Sequence, residues 1–236
     1  MKKIATVQEQ IESTFRKQVL NDKKVKNAYL LVHSEQLGID INVAEGKTGY
    51  MQANPGQANH LASVGKLFTA TVIGMLYDKG LLNFDDAIAQ YLDPELMRGL
   101  HVYKGRDYSG DITVKHLLKQ TSGLNDVFFP LLKKMISNPN LEMTVREALE
   151  WGKTNRKPVG KPGQKHFYTD TNYYLLGLII ENITKKTFHE AMHEMIFKPL
   201  NMDNAYINGY SEPENKPQHP PAHIYLYNIN FIDNKR

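Results

Sequence analysis

The sequence predicts a mixed α/β protein. Apolar residues recur at helical spacing along most of the chain, while two short apolar runs flank one turn and read as a hairpin. The length of 236 residues, with 41% hydrophobic and 23% charged residues, suits a chain that buries an ordinary folded core. At about 150 residues per domain, that length allows one large domain or two small ones.

The elements follow in order. Ile4, Val7, Ile11, Phe15 and Val19 predict an amphipathic helix over residues 4–22. Ala28–His33 and Gly38–Val43 predict two strands around a turn near Glu35 and Gln36, and residues 46–59, rich in Gly, Asn and Gln, read as loop. Ser63–Lys79 predicts a helix that is apolar on most faces, hence buried, and closed by Gly80. Phe84–Leu92 and Thr113–Lys119 read as short helical pieces, the second with Thr113 as N-cap. Thr144-Val-Arg-Glu147 and Thr187-Phe-His-Glu190 have capping-box spacing, so a helix should open at each, the latter ended by Pro199. Residues 152–166, with three glycines and two prolines, read as loop. Thr171 should cap a helix to about Asn182, and the proline-rich tail from Ser211 ends in a possible strand, Ile224–Ile232.

Composition removes several functions. There is no cysteine, so disulfides, Cys-rich zinc sites and thiol nucleophiles are absent together. The net charge of +4 comes mostly from scattered lysines with acids interleaved, a solvated surface rather than the concentrated stripe that nucleic-acid binding needs. No run of about 18 apolar residues occurs, so no membrane span is expected. Met1-Lys2-Lys3 resembles the start of a leader, but Gln8, Glu9, Gln10 and Glu12 stand where its apolar stretch should be. The chain as written reads as cytoplasmic, or as periplasmic or extracellular if a leader has been removed.

Ser63-Val-Gly-Lys66 carries the chemistry. Residues three apart share a helix face, so Lys66 points at the Ser63 hydroxyl at the positive end of the helix dipole. Burial in an apolar helix should lower the pKa of Lys66 and make it a base for the serine proton. The same spacing also fits Ser63 as a plain N-cap with Lys66 reaching to water.

Three longer strings surround the motif: His60-Leu-Ala-Ser63-Val-Gly-Lys66-Leu-Phe-Thr-Ala-Thr, Gly80-Leu-Leu-Asn-Phe-Asp-Asp, and Ile112-Thr-Val-Lys-His-Leu-Leu-Lys-Gln-Thr-Ser-Gly-Leu124. With Phe167-Tyr-Thr-Asp-Thr-Asn-Tyr-Tyr-Leu-Leu-Gly177 and Ile196-Phe-Lys-Pro-Leu-Asn-Met202, they resemble the serine β-lactamase and penicillin-binding-protein superfamily, in the branch of class C β-lactamases, D-alanyl-D-alanine peptidases and related esterases. The resemblance runs from about Ala28 to Met202. It implies a β-lactamase/transpeptidase-like α/β fold, an antiparallel sheet with flanking helices plus an all-helical region from about Asp85 to Tyr168, in a single domain over 1–236. Within that domain, 1–84 would hold the N-terminal helix, hairpin and nucleophile helix, 85–170 the helical region, and 171–236 the return helices and tail. It also implies Ser63 as the acylated nucleophile, Lys66 as its partner and Tyr168 as proton carrier. Asp170 stands where the family's Tyr-x-Asn motif has asparagine. An ionised carboxylate accepts hydrogen bonds but donates none, so Asp170 can hold Lys66 yet cannot donate to a substrate carbonyl, which weakens a β-lactamase reading.

The family's third motif, Lys-Thr-Gly or His-x-Gly on a later strand that helps to form the oxyanion hole, has no match after Tyr168. Lys47-Thr48-Gly49 precedes Ser63 and reads as a chance turn. By this resemblance the last sheet strands are missing, and a second chain, a swapped strand or the tail strand would complete the sheet. The first functional expectation is a serine hydrolase forming an acyl-enzyme on Ser63 with a small ester or peptide substrate, needing no cofactor. The second is a non-catalytic binding protein on the same scaffold. The third rests on His189-Glu190-Ala-Met-His193, a His-Glu-x-x-His zinc-peptidase pattern with Glu212 or Glu214 as a further ligand, although Glu190 is already explained by its capping box. His60, His101, His116, His166, His219 and His223 have no ligand spacing. Lys153, Arg156, Lys157, Lys161 and Lys165 lead to Tyr168 and fit either an attractor for a substrate carboxylate or a solvated linker.

Overall fold

The structure is a computed structural model that describes residues 2–138, 140–226 and 229–232, with side chains over 7–138 and 140–225. The chain forms two compact units, one of Met1–Ala62 with Pro213–Arg236 and one of Ser63–Glu212.

The first unit opens with α1 (Lys2–Asn21), then β1 (Asn27–Ser34), β2 (Ile39–Thr48) and β3 (Met51–Gln52), an antiparallel sheet in the order β1-β2-β3. Leu30 pairs with Val43 and Val32 with Ile41, so the two-residue period puts these side chains and Ile39 on one face. Ile11 and Phe15, four apart on α1, cover that face. The sheet is longer than the predicted hairpin. Lys47 and Thr48 end β2 and pair with Gln52 and Met51, so Lys47-Thr48-Gly49 leads a second hairpin where loop was expected.

The second unit begins within one 3₁₀ turn, Ala62–Val64, which takes the first residues of the predicted nucleophile helix; α2 itself is Gly65–Asp78. Its end is fixed by Gly80 N–H to Tyr77 C=O (2.8 Å) and Leu81 N–H to Leu76 C=O (3.0 Å), the paired bonds of a Schellman close. Of Phe84–Leu92 only Ile88–Gln90 is helical, as 3₁₀. Asp93 caps α3 (Pro94–Met97), and a two-residue hairpin of β4 (Val102–Tyr103) and β5 (Arg106–Asp107) interrupts the region expected to be all helix. Thr113 caps α4 (Val114–Leu118) as predicted. A helix that the sequence reading missed, α5 (Phe128–Ser137), precedes α6 (Val145–Asn155), whose Thr144/Glu147 capping box is formed and which runs into the predicted loop. Then come α7 (Thr171–Thr184) and α8 (Phe188–Met192), the latter opened by the Thr187/Glu190 box and continued by a π turn, His193–Phe197. The core lies among α2, α4, α7 and α8, where Val72, Ile73, Leu117, Leu175, Leu176, Ile179 and Ile180 are fully buried. Each such side chain stabilises the fold by about 2–3 kcal/mol of apolar transfer.

The tail returns to the first unit, but it does not extend the sheet there. β6 (Ile224–Leu226) and β7 (Ile229–Ile232) pair with each other as a separate ribbon, and Tyr227 and Asn228 of the predicted strand lie outside the described residues. Side chains tie the tail down: Asn27 donates to the His223 carbonyl (3.1 Å), His223 N–H to Thr48 Oγ1 (2.7 Å), and Gly49 N–H to the Tyr225 hydroxyl (2.8 Å). The strands of the tail pair with each other, while these bonds join it to β1, the end of β2 and the turn after it. Among the described residues, no helix is long and apolar enough to cross a membrane.

Candidate active site

Ser63 lies in the 3₁₀ turn just before α2, exposed to solvent. The residue before it, Ala62, has φ +46°, a left-handed conformation that costs a non-glycine residue on the order of 1 kcal/mol. One turn on, Lys66 Nζ donates to Ser63 Oγ at 3.4 Å, as the three-residue spacing predicts. The Tyr168 hydroxyl donates to the same Oγ at 2.8 Å from 105 residues away. Lys66 also makes a close ion pair with the Asp170 carboxylate, and its ammonium lies over the rings of Tyr168 (5.1 Å) and Tyr173 (5.5 Å). Lys66 and Asp170 side chains are only 17% and 18% exposed, whereas Tyr168 is 48% exposed. The pair is therefore sheltered, and the serine and the phenol are the groups a solute reaches.

The charge on Lys66 departs from the sequence expectation. Burial does push its pKa down, but the hydrogen bonds and charge of Asp170 and Tyr168 more than offset it, and the pKa lies above the ordinary lysine value. Lys66 is an ammonium at neutral pH, not the neutral base that burial alone implied.

The loop bearing Tyr168 and Asp170 is held from below by residues 120–126. Phe167 N–H donates to the Gln120 carbonyl, Gly163 N–H to the Thr121 carbonyl and Val159 N–H to the Gly123 carbonyl, each at 2.8 Å, so the two segments run side by side. Gln120 Oε1 accepts from Thr169 N–H (3.0 Å) and from buried Asn172 Nδ2 (2.6 Å), and Ser122 Oγ donates to Asn172 Oδ1 (2.6 Å). Asp126 Oδ1 accepts from Asp170 N–H (2.9 Å) and Thr169 Oγ1 (3.1 Å). Thr171 is the first residue of α7 rather than its cap: Asp170 takes the N-cap position, and its carboxylate turns to Lys66 instead of capping.

The other sequence candidates fall elsewhere. Glu190 accepts from Thr187 N–H and Oγ1, and His189 lies against the Tyr210 ring. No group of three metal-ligating side chains forms around them or His193 among the described residues. In the basic run, Lys153 donates to the Glu95 and Leu96 carbonyls, Arg156 to the Asp126 carbonyl and Asn125, and Lys161 lies over the Tyr108 ring, so these cations serve the fold. Sequence reasoning did not single out Gln120, Asp126, Asn172 or Tyr173. Gln120, Asn172 and Tyr173 did leave a signal, since all three lie within the strings that carry the resemblance; Asp126 lies outside them.

The Beta-lactamase family model matches residues 19–224. Protein flp of Staphylococcus aureus (strain N315) is 30% identical over 171 residues, covering 72% of this chain and 31% of that protein. The chain thus spans about a third of the length of the curated relatives it matches. The octameric penicillin-binding protein homologue from Pyrococcus abyssi superposes with a TM-score of 0.70 at 23% identity, over 91% of this chain and 47% of that one. The D-amino acid amidase from Ochrobactrum anthropi SV3, complexed with L-phenylalanine amide, gives 0.64 at 21% identity, over 85% and 51%. Those two likenesses are of fold, and they agree with an antiparallel sheet and flanking helices of the β-lactamase/transpeptidase kind. By the extent of the family match, the chain belongs to the beta-lactamase family.

Proposed function

We propose that this chain carries the nucleophile of a serine hydrolase that forms an acyl-enzyme on Ser63 with an ester or amide substrate and releases the acyl group to water. One observation carries the reading: the Tyr168 hydroxyl and the Lys66 ammonium both reach Ser63 Oγ. In the reacting form Tyr168 has given its own phenolic proton to water; as Oγ bonds to the substrate carbonyl carbon, the Ser63 proton passes to that phenolate oxygen. The C–O or C–N bond to the leaving group then breaks, and Tyr168 returns the proton to the departing alcohol or amine. Water repeats the sequence in reverse and frees Ser63. Lys66 acts as the cation that stabilises negative charge on the phenolic oxygen, and Asp170 keeps it charged. These steps use side chains and water alone. Because the Asp170 carboxylate only accepts, the reading favours esterase or D-Ala peptidase chemistry over β-lactam hydrolysis.

A non-catalytic binding protein is the second reading, favoured by Lys66 itself, since an ammonium locked to Asp170 leaves no free amine beside Ser63. A serine-directed fluorophosphonate separates the two. Labelling that disappears in Ser63→Ala is expected of the hydrolase, and a folded chain that takes no label favours the binder. In the hydrolase, Tyr168→Phe should lower kcat by about 100-fold or more with little change in KM, because the phenol moves a proton rather than binding substrate. An unchanged kcat removes Tyr168 from the mechanism.

A further inference from the structure

We infer that Asp126 is a positioning residue of this site, one whose carboxylate sets where the Tyr168–Asp170 segment sits against Ser63 and Lys66; the inference rests on the serine-hydrolase reading. Asp126 touches neither Ser63 nor a place where substrate bonds change, so its action is through its neighbours. Its two oxygens do different things. Oδ1 accepts from the Asp170 backbone N–H (2.9 Å) and from Thr169 Oγ1 (3.1 Å). Oδ2 accepts from Phe129 N–H (3.0 Å), in the first turn of α5.

The Oδ1 bonds constrain the loop in two ways. Asp170 N–H is one covalent step from the Cα that carries the carboxylate on Lys66, so fixing it fixes the ion pair. Thr169 must give its only hydroxyl proton to Asp126, because a carboxylate cannot donate. Its lone pair is then left to accept from Thr171 N–H (3.1 Å), which sets the start of α7. Asp126 is itself anchored from both sides: Arg156 Nε donates to its carbonyl (3.2 Å), and the Thr171 hydroxyl donates to the carbonyl of Asn125 (2.8 Å). Thr169 and Thr171 are buried, so these bonds have little competition from water. Tyr168 directly precedes Thr169, and its hydroxyl must stay within hydrogen-bond reach of Ser63 for the proton transfer. A displacement near 1 Å at such a group can cost about 100-fold in rate.

The division of labour between the oxygens supplies the test. Asp126→Ala removes both acceptors. Asp126→Asn keeps an acceptor oxygen for Asp170 and Thr169 and replaces the one on Phe129 with an amide nitrogen. The measurement is fluorophosphonate inactivation of Ser63, resolved into kinact and the probe's Ki, on each protein after thermal unfolding confirms that it is folded. Asp126→Ala should lower kinact at least about tenfold with Ki unchanged. Asp126→Asn should restore kinact to within about threefold of wild type while still lowering Tm through α5. If Asp126→Ala does not fold, Thr169→Val takes its place, since it deletes the hydroxyl and leaves the carboxylate, and a several-fold lower kinact is expected there too. Wild-type kinact in folded Asp126→Ala, or in Thr169→Val in its stead, overturns the inference and leaves the hydrolase reading intact. So does an Asp126→Asn as slow as Asp126→Ala. A wild-type chain that takes no label overturns the hydrolase reading, and this inference with it.

Discussion

The two units bury cores of different kinds. In the first, the buried apolar cluster is Ile39, Ile41 and Val43, one face of a sheet under one helix. In the second, the cluster runs from Val72 to Phe197 and draws on helices packed on several sides. A sheet face under one helix can relax when a side chain is removed, while a helix buried on all sides cannot. Every residue placed in the candidate site, from Ser63 and Lys66 to Asp126, Tyr168 and Asp170, belongs to the better-packed unit. The candidate residues thus sit on supports that are less free to drift.

The largest effect expected is therefore in the second core. Ile179→Ala, at a fully buried position on α7, should cost ~4 kcal/mol, and Ile41→Ala in the first unit only ~2–3 kcal/mol. Urea unfolding of the two variants checks this. Equal losses would break the contrast between the cores.

A matched pair of glycines sharpens it next. Gly123 has φ +79°, and a Cβ there would lie 2.3 Å from the Gly160 carbonyl oxygen and 2.8 Å from His101 Nε2. Gly46 has φ +88°, and its Cβ would lie 2.2 Å from the Lys26 carbonyl oxygen. The nearest atom at each is backbone, so each Gly→Ala should cost about 2–3 kcal/mol. Hydrogen exchange should place the damage differently, around residues 120–126 and 159–167 for Gly123→Ala and around β1 and β2 for Gly46→Ala. The same exchange pattern in both variants would contradict the assignment of these segments to separate units.

Smaller still is the capping box of α8. Thr187→Ala should cost about 1 kcal/mol, because Thr187 Oγ1 satisfies Glu190 N–H and the Glu190 carboxylate returns to Thr187 N–H. A loss below the error of the denaturation measurement would mean that the π turn after α8, not the box, holds this end.

How far the sequence discloses all this depends on distance along the chain. Thr144 and Thr187 were legible because a capping box is complete within four residues, and Thr113 because an N-cap needs no distant partner. Ser63 and Lys66 were legible for the same reason, since one helical turn brings them together. Tyr168 was accessible only through the family resemblance, because no local period links residues 105 apart. Asp126 was not legible at all: its partners, Thr169 and Asp170, are 43 and 44 residues away, and nothing near it repeats. α5 escaped because Pro130 sits in its first turn, where proline is tolerated but reads as a breaker, and because Val127 gives no side-chain cap. β4 and β5 are two residues each, too short for any period to register. The tail read as a possible strand and as one of several ways to complete the main sheet; it pairs within itself instead, because alternation names a strand without naming its neighbour.

Lys66 offers the finest test, because sequence and structure disagree on its sign. Burial alone lowers a lysine pKa, and the sequence contains the burial. The structure adds a carboxylate and a phenol at contact, and the balance turns upward. A group whose folded pKa lies above its unfolded value of about 10.5 stabilises the folded chain throughout the range below that value, and loses this contribution as pH rises through the higher folded pKa. Lys66→Met leaves Asp170 without its partner and removes the titration. The stability gap between wild type and Lys66→Met, followed by urea unfolding from pH 7 upward, should therefore stay level to about pH 10 and narrow only beyond 10.5. A gap that instead changes between pH 7 and 9 would mean that Lys66 sheds its proton near neutrality. In that case burial outweighs Asp170, and the amine returns as a candidate base for Ser63.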